Sequence, residues 1–313
     1  MVRTHIFLLL FAVVTSQGPT DRSIAQESTV VPTGTTPLPN TAANVSAQTA
    51  LPQPPQGIVP ASDAPLDEPW VDPAKKIVQV FNDPPAGTRI SKTGRVWVDR
   101  KSRQVIVDGY VALREGMLEM FACPAGTKEH ESVVATLARS QEVHAALLAV
   151  GAQSGTPVQW SPRYVPATGQ GIRIWVMWFD EQGNQHHADA RTWVVQTGTK
   201  KTLQIDWVFA GSNFWTDPSD GTRFYEADSG DMICVSNFAS AMLDLPVEST
   251  QQADSLLFSA NTEKIPPKQT FVRLLLLPIP QLADQPEPLG PNVADPNKPP
   301  ATKWLTLREP VGS

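Results

Sequence analysis

Residues 172–179 read Ile-Arg-Ile-Trp-Val-Met-Trp-Phe. Taken with a period of two, they place Ile172, Ile174, Val176 and Trp178 on one face and Trp175, Met177 and Phe179 on the other. Apolar side chains on both faces of an alternating run describe a strand that is covered on both sides. Asp180-Glu181-Gln182-Gly183-Asn184 then supplies a turn, and residues 187–195 return as the partner strand. Upstream, Val96/Val98 and Val105/Val107 flank Asp99-Arg100-Lys101-Ser102 as a hairpin that runs on into Asp108-Gly109-Tyr110-Val111. Leu203, Ile205, Trp207 and Phe209 alternate in a further strand, and residues 270–277 read Thr-Phe-Val-Arg-Leu-Leu-Leu-Leu. Two segments depart toward helix. Ser140 to Gly151 has an N-cap serine, apolar residues at 143, 146, 147 and 150, and a terminating glycine. Thr250 to Ser259 repeats that logic with Ala253, Leu256, Leu257 and Ala260 on one stripe. No βαβ alternation and no internal repeat is present. The expected fold is α+β, a mainly antiparallel sheet with two or three short helices; a β-sandwich with decorating helices is the alternative.

Proline sets the domain limits. Of 30 prolines in 313 residues, eleven lie in 17–73 and nine in 278–313, so the block between holds ten. That block also holds seven of the nine tryptophans, enough apolar surface for one real core. The expected organisation is therefore a linker over 17–73 rich in Pro, Thr, Ser and Gln, a globular domain over 74–277 and a proline-rich tail over 278–313. The linker lacks both helical and strand periodicity and cannot bury enough surface to offset the entropy of ordering it. Trp304-Leu305-Thr306-Leu307 forms a small apolar island in the tail.

Ahead of the linker, Arg3 precedes an apolar run from Ile6 to Val14 and the small residues Thr15 and Ser16. That order is the pattern of a secretory signal peptide ending at 16, with 25 as the alternative end, and the run is shorter than the roughly 20 residues needed to span a bilayer. The expectation is an exported protein, periplasmic or at the cell surface or extracellular, with no stable membrane span after cleavage. With 25 basic against 31 acidic residues and a net charge of −6, no basic footprint for nucleic acid exists. The partner expected is a protein or a small molecule.

The densest reactive stretch is Arg114 to Ser132, which carries Cys123, His130, Glu119 and Glu131 around a Pro-Ala-Gly turn. A cysteine nucleophile needs a base, and His130 could fold back to supply it, with Glu119 or Glu131 orienting the imidazole. The same cysteine could instead pair with Cys234 in a disulfide, since an exported chain with two cysteines invites one bridge, or both could be inert buried thiols. A third option is a metal site in the 123–131 loop, with His144, His186, His187 and Asp189 as further donors, although no CxxC or HExxH spacing is present. Glu226-Ala227-Asp228-Ser229-Gly230-Asp231 could ligate calcium, supply a carboxylate pair or simply form an acidic turn. Dinucleotide, Walker and nucleophile-elbow motifs are absent, and no cofactor is expected. These features confine the functional question to residues 109–132 and 226–246.

Several phrases carry a family resemblance: Val-Ala-Leu-Arg-Glu-Gly (111–116), Leu-Glu-Met-Phe-Ala-Cys-Pro-Ala-Gly-Thr-Lys-Glu-His-Glu-Ser (118–132), His-Ala-Ala-Leu-Leu-Ala-Val-Gly-Ala (144–152), Asp-Trp-Val-Phe-Ala-Gly-Ser (206–212) and Ser-Asn-Phe-Ala-Ser-Ala-Met-Leu-Asp-Leu-Pro (236–246). Together, over about 90–278, they resemble the YdjY-like domain. The resemblance implies bacterial relatives and no particular reaction. Some members of the family are linked to a ferredoxin-like fold and iron–sulfur clusters, but two cysteines fall short of the four thiolates of an ordinary cluster. The function expected from the sequence is a non-enzymatic binding or accessory module. The alternatives are a thiol-dependent enzyme or redox protein, and a metal-binding protein.

Overall fold

Long alternating runs give this chain two strands that the rest of the fold is hung on. The computed structural model describes residues 72–249, 256–281 and 293–300, all within one compact unit, Leu66–Ser313. In chain order its strands are β1 (Thr88–Arg89), β2 (Val96–Asp99), β3 (Gln104–Val111), β4 (Met120–Pro124), β5 (Ser132–Thr136), β6 (Gly171–Phe179), β7 (Gln185–Asp189) and β8 (Val194–Gln196). There follow β9 (Trp207–Phe209), β10 (Phe214–Thr216), β11 (Arg223–Tyr225), β12 (Ile233–Cys234), β13 (Leu243–Asp244), β14 (Phe258–Ala260) and β15 (Phe271–Pro278). Among the described residues there are two short α-helices, α1 (Pro73–Lys76) and α2 (Ser140–Ala149).

The strands β3, β15, β6, β9, β13, β12, β4 and β5 follow one another by hydrogen bonding, and β5 pairs back onto β3. The result is a closed eight-stranded barrel. Closure is possible because β3 and β6 each divide one edge between two partners. The β3 edge opposite β15 pairs with β2 over Gln104–Val107 and then with β5 over Gly109–Val111. The β6 edge opposite β15 pairs with β9 at Gly171 and Ile172 and with β7 from Trp175 to Phe179. Most ladders are antiparallel, but β4–β5 and β12–β13 are parallel. The architecture thus corrects both sequence expectations: it is neither an α+β antiparallel sheet nor a sandwich, but a barrel in a mixed sheet. A ring abolishes the free edges that an open sheet would have to protect.

Closure needs a close backbone approach where β5 meets β3. A Cβ on Gly109 would lie 2.3 Å from the Ala135 carbonyl oxygen, so only glycine fits there.

The alternation predicted for 172–179 is present. Ile172, Ile174 and Val176 join Val105, Val107, Val272, Leu274, Trp207 and Phe209 in the principal core, where Val143, Ala146 and Leu147 of α2 also pack. Trp175 and Met177 point the other way, into a second cluster with Trp97, Ile106, Leu275 and Leu277. Two flanking segments cover that outer wall. Ile77 and Phe81 pack on it from the N-terminal side. Residues 293–300, in the region expected to be tail, pack there as well: Ala294 N–H donates to the Ser102 carbonyl at 3.0 Å, and Trp175 Nε1 donates to the Pro296 carbonyl at 3.1 Å. A buried ion cluster fixes the N-terminal strap. Asp108 receives Arg95 Nη2 at 2.6 Å and Arg273 Nε at 2.6 Å, and Arg273 Nη2 also donates to the Asn82 carbonyl at 2.9 Å.

Helix α2 matches its expected span, with a different cap. Arg139 is the N-cap residue, its backbone N–H donating to Glu142 Oε2 at 3.0 Å, while the Ser140 hydroxyl donates to the Ala227 carbonyl at 2.7 Å. Of the second expected helix, residues 250–255 lie outside the described residues, and Phe258–Ala260 is strand, paired with β8. The signal peptide, the linker up to residue 71 and the Trp304 island also lie outside them. Among the described residues, no helix is long and apolar enough to cross a membrane.

Candidate functional site

Register brings the two regions singled out by sequence into contact. Strand β4 pairs with β5 in parallel, Met120 opposite Ser132, so Glu119 and Glu131 sit side by side just ahead of the two strands. Strand β12 pairs with β4 antiparallel from the other side, Ile233 opposite Ala122 and Cys234 opposite Met120, so Asp231, just ahead of β12, lies toward the Pro124 end of β4, where the turn carrying Lys128 begins. Lys128, from the turn between β4 and β5, reaches into this group. Its Nζ lies 3.0 Å from Asp231 Oδ1, 3.6 Å from Glu131 Oε1 and 3.8 Å from Glu119 Oε2, and 4.5 Å from the Phe238 ring centroid. Burial opposes the lysine charge, but Asp231, then Glu131 and Glu119, outweigh it and hold the ammonium above its ordinary value. Glu119 is raised, first by burial and then by Glu131, with Lys128 pulling the other way. Gly230, at φ +141°, leaves room for the lysine stem: a Cβ there would meet Lys128 Cγ at 2.5 Å. The Ser240 hydroxyl donates to Asp231 Oδ2 at 2.5 Å.

The proposed thiol machinery is not assembled by this geometry. Cys123 and Cys234 are both free and fully buried, so the expected bridge between them is not formed. Burial raises the Cys123 thiol, with the Ser132 and Thr127 side chains and the Lys128 backbone pulling it back; Cys234, buried among carboxylates, is raised well above its ordinary value. A reactive thiol needs the opposite. His130 lies in the short turn Glu129–Glu131 ahead of β5. Its side chain is 76% exposed and turned to Glu131 Oε2 at 3.7 Å. Glu119 and Glu131 do meet, but around Lys128 and not around an imidazole.

Where a metal ion would sit among the three carboxylates, the lysine ammonium sits instead, and among the described residues no three His, Cys, Asp or Glu side chains are placed to hold one. His186 bonds Asp180 at 2.8 Å and stacks on Trp178, His187 lies opposite Met177, and His144 Nδ1 pairs with the Tyr225 hydroxyl at 2.7 Å. Asp228, a candidate in the acidic run, serves as a remote helix cap. It accepts from the Gln141 N–H at 3.0 Å and pairs with Arg139.

The loop 236–242 ties this cluster to two others. Asn237, fully buried, donates to Asp244 Oδ1 at 3.0 Å and to the Leu245 carbonyl at 3.1 Å; its Oδ1 accepts from Ser249 N–H at 2.7 Å and from the Tyr164 hydroxyl at 3.3 Å. Tyr164 in turn packs on Trp160, which is 41% exposed. On the other side, Ser212 Oγ donates to the Ser240 carbonyl at 2.6 Å and Asn213 Nδ2 to the Ala239 carbonyl at 3.0 Å, which seats the base of the β10–β11 hairpin. Register alternates that hairpin cleanly. Phe214 faces Tyr225, which is buried and donates to the Gly211 carbonyl at 3.0 Å. Trp215 faces Phe224 on the opposite side, each 49% exposed, ring centroids 5.6 Å apart and inclined by 30°. Three loop systems and the Lys128 cluster therefore converge around residues 236–242.

Sequence reasoning missed the hairpin. Its signal was present: Phe214-Trp215-Thr216 and Arg223-Phe224-Tyr225 flank Asp217-Pro218-Ser219-Asp220-Gly221-Thr222, aromatic triplets around turn residues. The converging loops lie next to β12 and β4. Counting round the ring, β12 is four strands from β15 in either direction, so this cluster and the two straps occupy opposite walls.

A family model described as YdjY domain matches residues 96–276, a span that holds seven of the eight barrel strands whole and β15 as far as Leu276. No curated protein and no solved structure matches the chain.

Proposed function

The chain belongs to the YdjY-domain family, and on that premise we propose that it works as an exported, non-enzymatic binding or accessory module. Its recognition surface is the loop end organised by residues 236–242. The observation that carries this reading is the aromatic exposure gathered there: Trp160, Phe214, Trp215 and Phe224 keep about two-fifths to one-half of their surface accessible while the barrel core is sealed. Exposed aromatic clusters on a rigid scaffold are how binding surfaces obtain contact area at low entropic cost. Export is part of the proposal and rests on the N-terminal pattern of charge, apolar run and small residues.

The thiol-enzyme alternative has less support, because its base points to solvent and burial disfavours both thiolates. A photo-reactive benzoyl-phenylalanine at position 160 or 215 of the full chain tests the binding reading in the cell that makes it. The expected result is discrete adducts from the extracytoplasmic fraction at both positions and none at Leu257, an exposed apolar position outside the converging loops. Equal labelling at all three, or none at 160 and 215, would sink it.

A further inference from the structure

Charge is distributed unevenly over this chain. Segments 115–131, 154–169, 212–231 and 236–249, which supply the converging loops, hold eleven Asp and Glu against three Lys and Arg. The whole chain holds 31 against 25, so the remainder holds 20 against 22 and is nearly balanced. Of the three basic residues in those segments, two already rest on aromatic faces. Lys128 Nζ sits 4.5 Å from the Phe238 centroid and Arg223 Cζ 4.6 Å from that of Phe214. This end of the molecule therefore already sets cations against rings, and in the case of Lys128 among carboxylates as well. Trp215, Phe224 and Trp160 offer the same ring chemistry at the surface, and among the described residues no cation lies over them.

We infer that the Trp215–Phe224 face of the β10–β11 hairpin docks a cationic segment of a protein partner, an extended stretch whose Arg or Lys side chains lie across these rings with Asp217 and Asp220 at the hairpin turn. The inference rests on the loop end being the recognition surface and adds the chemistry of what it recognises. Three considerations select that occupant. A planar guanidinium stacks on an aromatic face and is weakly hydrated, so it gains from both partners. The acidic surroundings raise the local concentration of cations and repel nucleic acid and anionic lipid. A neutral glycan would use the rings and donate hydroxyls to the carboxylates, but it would gain nothing from the net negative charge of these loops, which a cation does.

The test uses the full chain and a dye-labelled peptide of alternating Arg and Gly, followed by fluorescence anisotropy. Trp215→Ala with Phe224→Ala is expected to weaken binding by about tenfold, the loss of two exposed cation–ring contacts. Trp215→Phe with Phe224→Tyr should retain most of the affinity, which separates lost rings from a misfolded hairpin. Asp217→Asn with Asp220→Asn keeps the oxygens that accept from Ser219 and Thr222 while removing two charges, and should flatten the salt dependence. Glu263→Gln, at an exposed pair with Lys200 outside the converging loops, should change nothing. The inference is overturned if the double alanine variant binds the peptide as the parent does, or if Glu263→Gln weakens it equally, which would mark diffuse attraction to an acidic protein. It is also overturned if a neutral oligosaccharide or a second copy of the chain binds through Trp215 and Phe224 while the peptide does not. That last outcome leaves the recognition surface standing and removes only its cationic partner, whereas absent adducts at positions 160 and 215 would remove both.

Discussion

Asp244 is a carboxyl group with a preference for its proton. Its Oδ1 accepts from Asn237 Nδ2 and from the Leu245 N–H at 2.8 Å, its Oδ2 has no hydrogen-bond partner, and the side chain is fully buried. Burial pushes it up to about 8, with nearby Asp231 adding to the shift and the Asn237 and backbone hydrogen bonds opposing it. The sign follows from linkage. Between the ordinary aspartate value near 4 and about 8, the folded chain holds a proton that the unfolded chain has released, so stability falls as pH rises through that window and is flat above it. Urea unfolding at pH 5 and pH 9 should show that fall, and Asp244→Asn should remove most of it, leaving the variant more stable than the parent at pH 9 by an amount on the order of a few kcal/mol. A variant that loses stability equally at both pH values would contradict this. Nothing in the sequence separates Asp244 from an exposed aspartate, because its shift comes from residues brought in by the 236–249 turn. The cysteines illustrate the same limit. Their residue type spoke correctly for burial, while the 110 positions between them carried no information on whether the sulfurs meet.

At the level of elements, legibility followed length. Strands β2, β3, β6 and β15 and helix α2 were readable because four to ten residues of unbroken pattern specify a face. Strands β12 and β13 have two residues each, too few to show a period, and β9 keeps only Trp207–Phe209 of the alternating run expected from Leu203; these three help turn an open sheet into a ring. The closing contact itself rests on one missing side chain. Gly109→Ala places a methyl carbon 2.3 Å from the Ala135 carbonyl oxygen, which neither strand can avoid without moving. We expect a loss of roughly 1–3 kcal/mol, seen as a lower urea midpoint with an unchanged slope. An unaltered midpoint would mean that β3 and β5 are free to separate. Of the candidate site, sequence found the two stretches that meet and the Glu119–Glu131 neighbourhood. It assigned their centre to Cys123 and His130, because loop chemistry was read without register; once β4 and β5 run parallel, Lys128 is the residue that reaches in.

For the whole molecule, proline content suggested a domain over 74–277 between two arms; the strands of the barrel run from Gln104 to Pro278. What composition could not reveal is that part of the C-terminal arm belongs to the packing: Ala294 lies in the outer cluster and the Pro296 carbonyl satisfies the Trp175 indole. A chain ending at Gln281 should expose Trp175, red-shift its emission and lose about 1–3 kcal/mol of stability from one buried hydrogen bond and the apolar cover. Identical emission and stability with and without residues 293–300 would refute this.

The two straps have a mechanical consequence. Both the Asn82–Arg273 clamp and the Trp175–Pro296 contact sit on the wall formed by β3, β15 and β6. Tension arriving along either arm is borne by that wall, whose strands share the longest ladders in the barrel. The aromatic hairpin is joined to that wall by helix α2, whose Ser140 and His144 bond Ala227 and Tyr225 and which packs on β2 and β3, so strain from the arms has a route to the recognition surface through this helix.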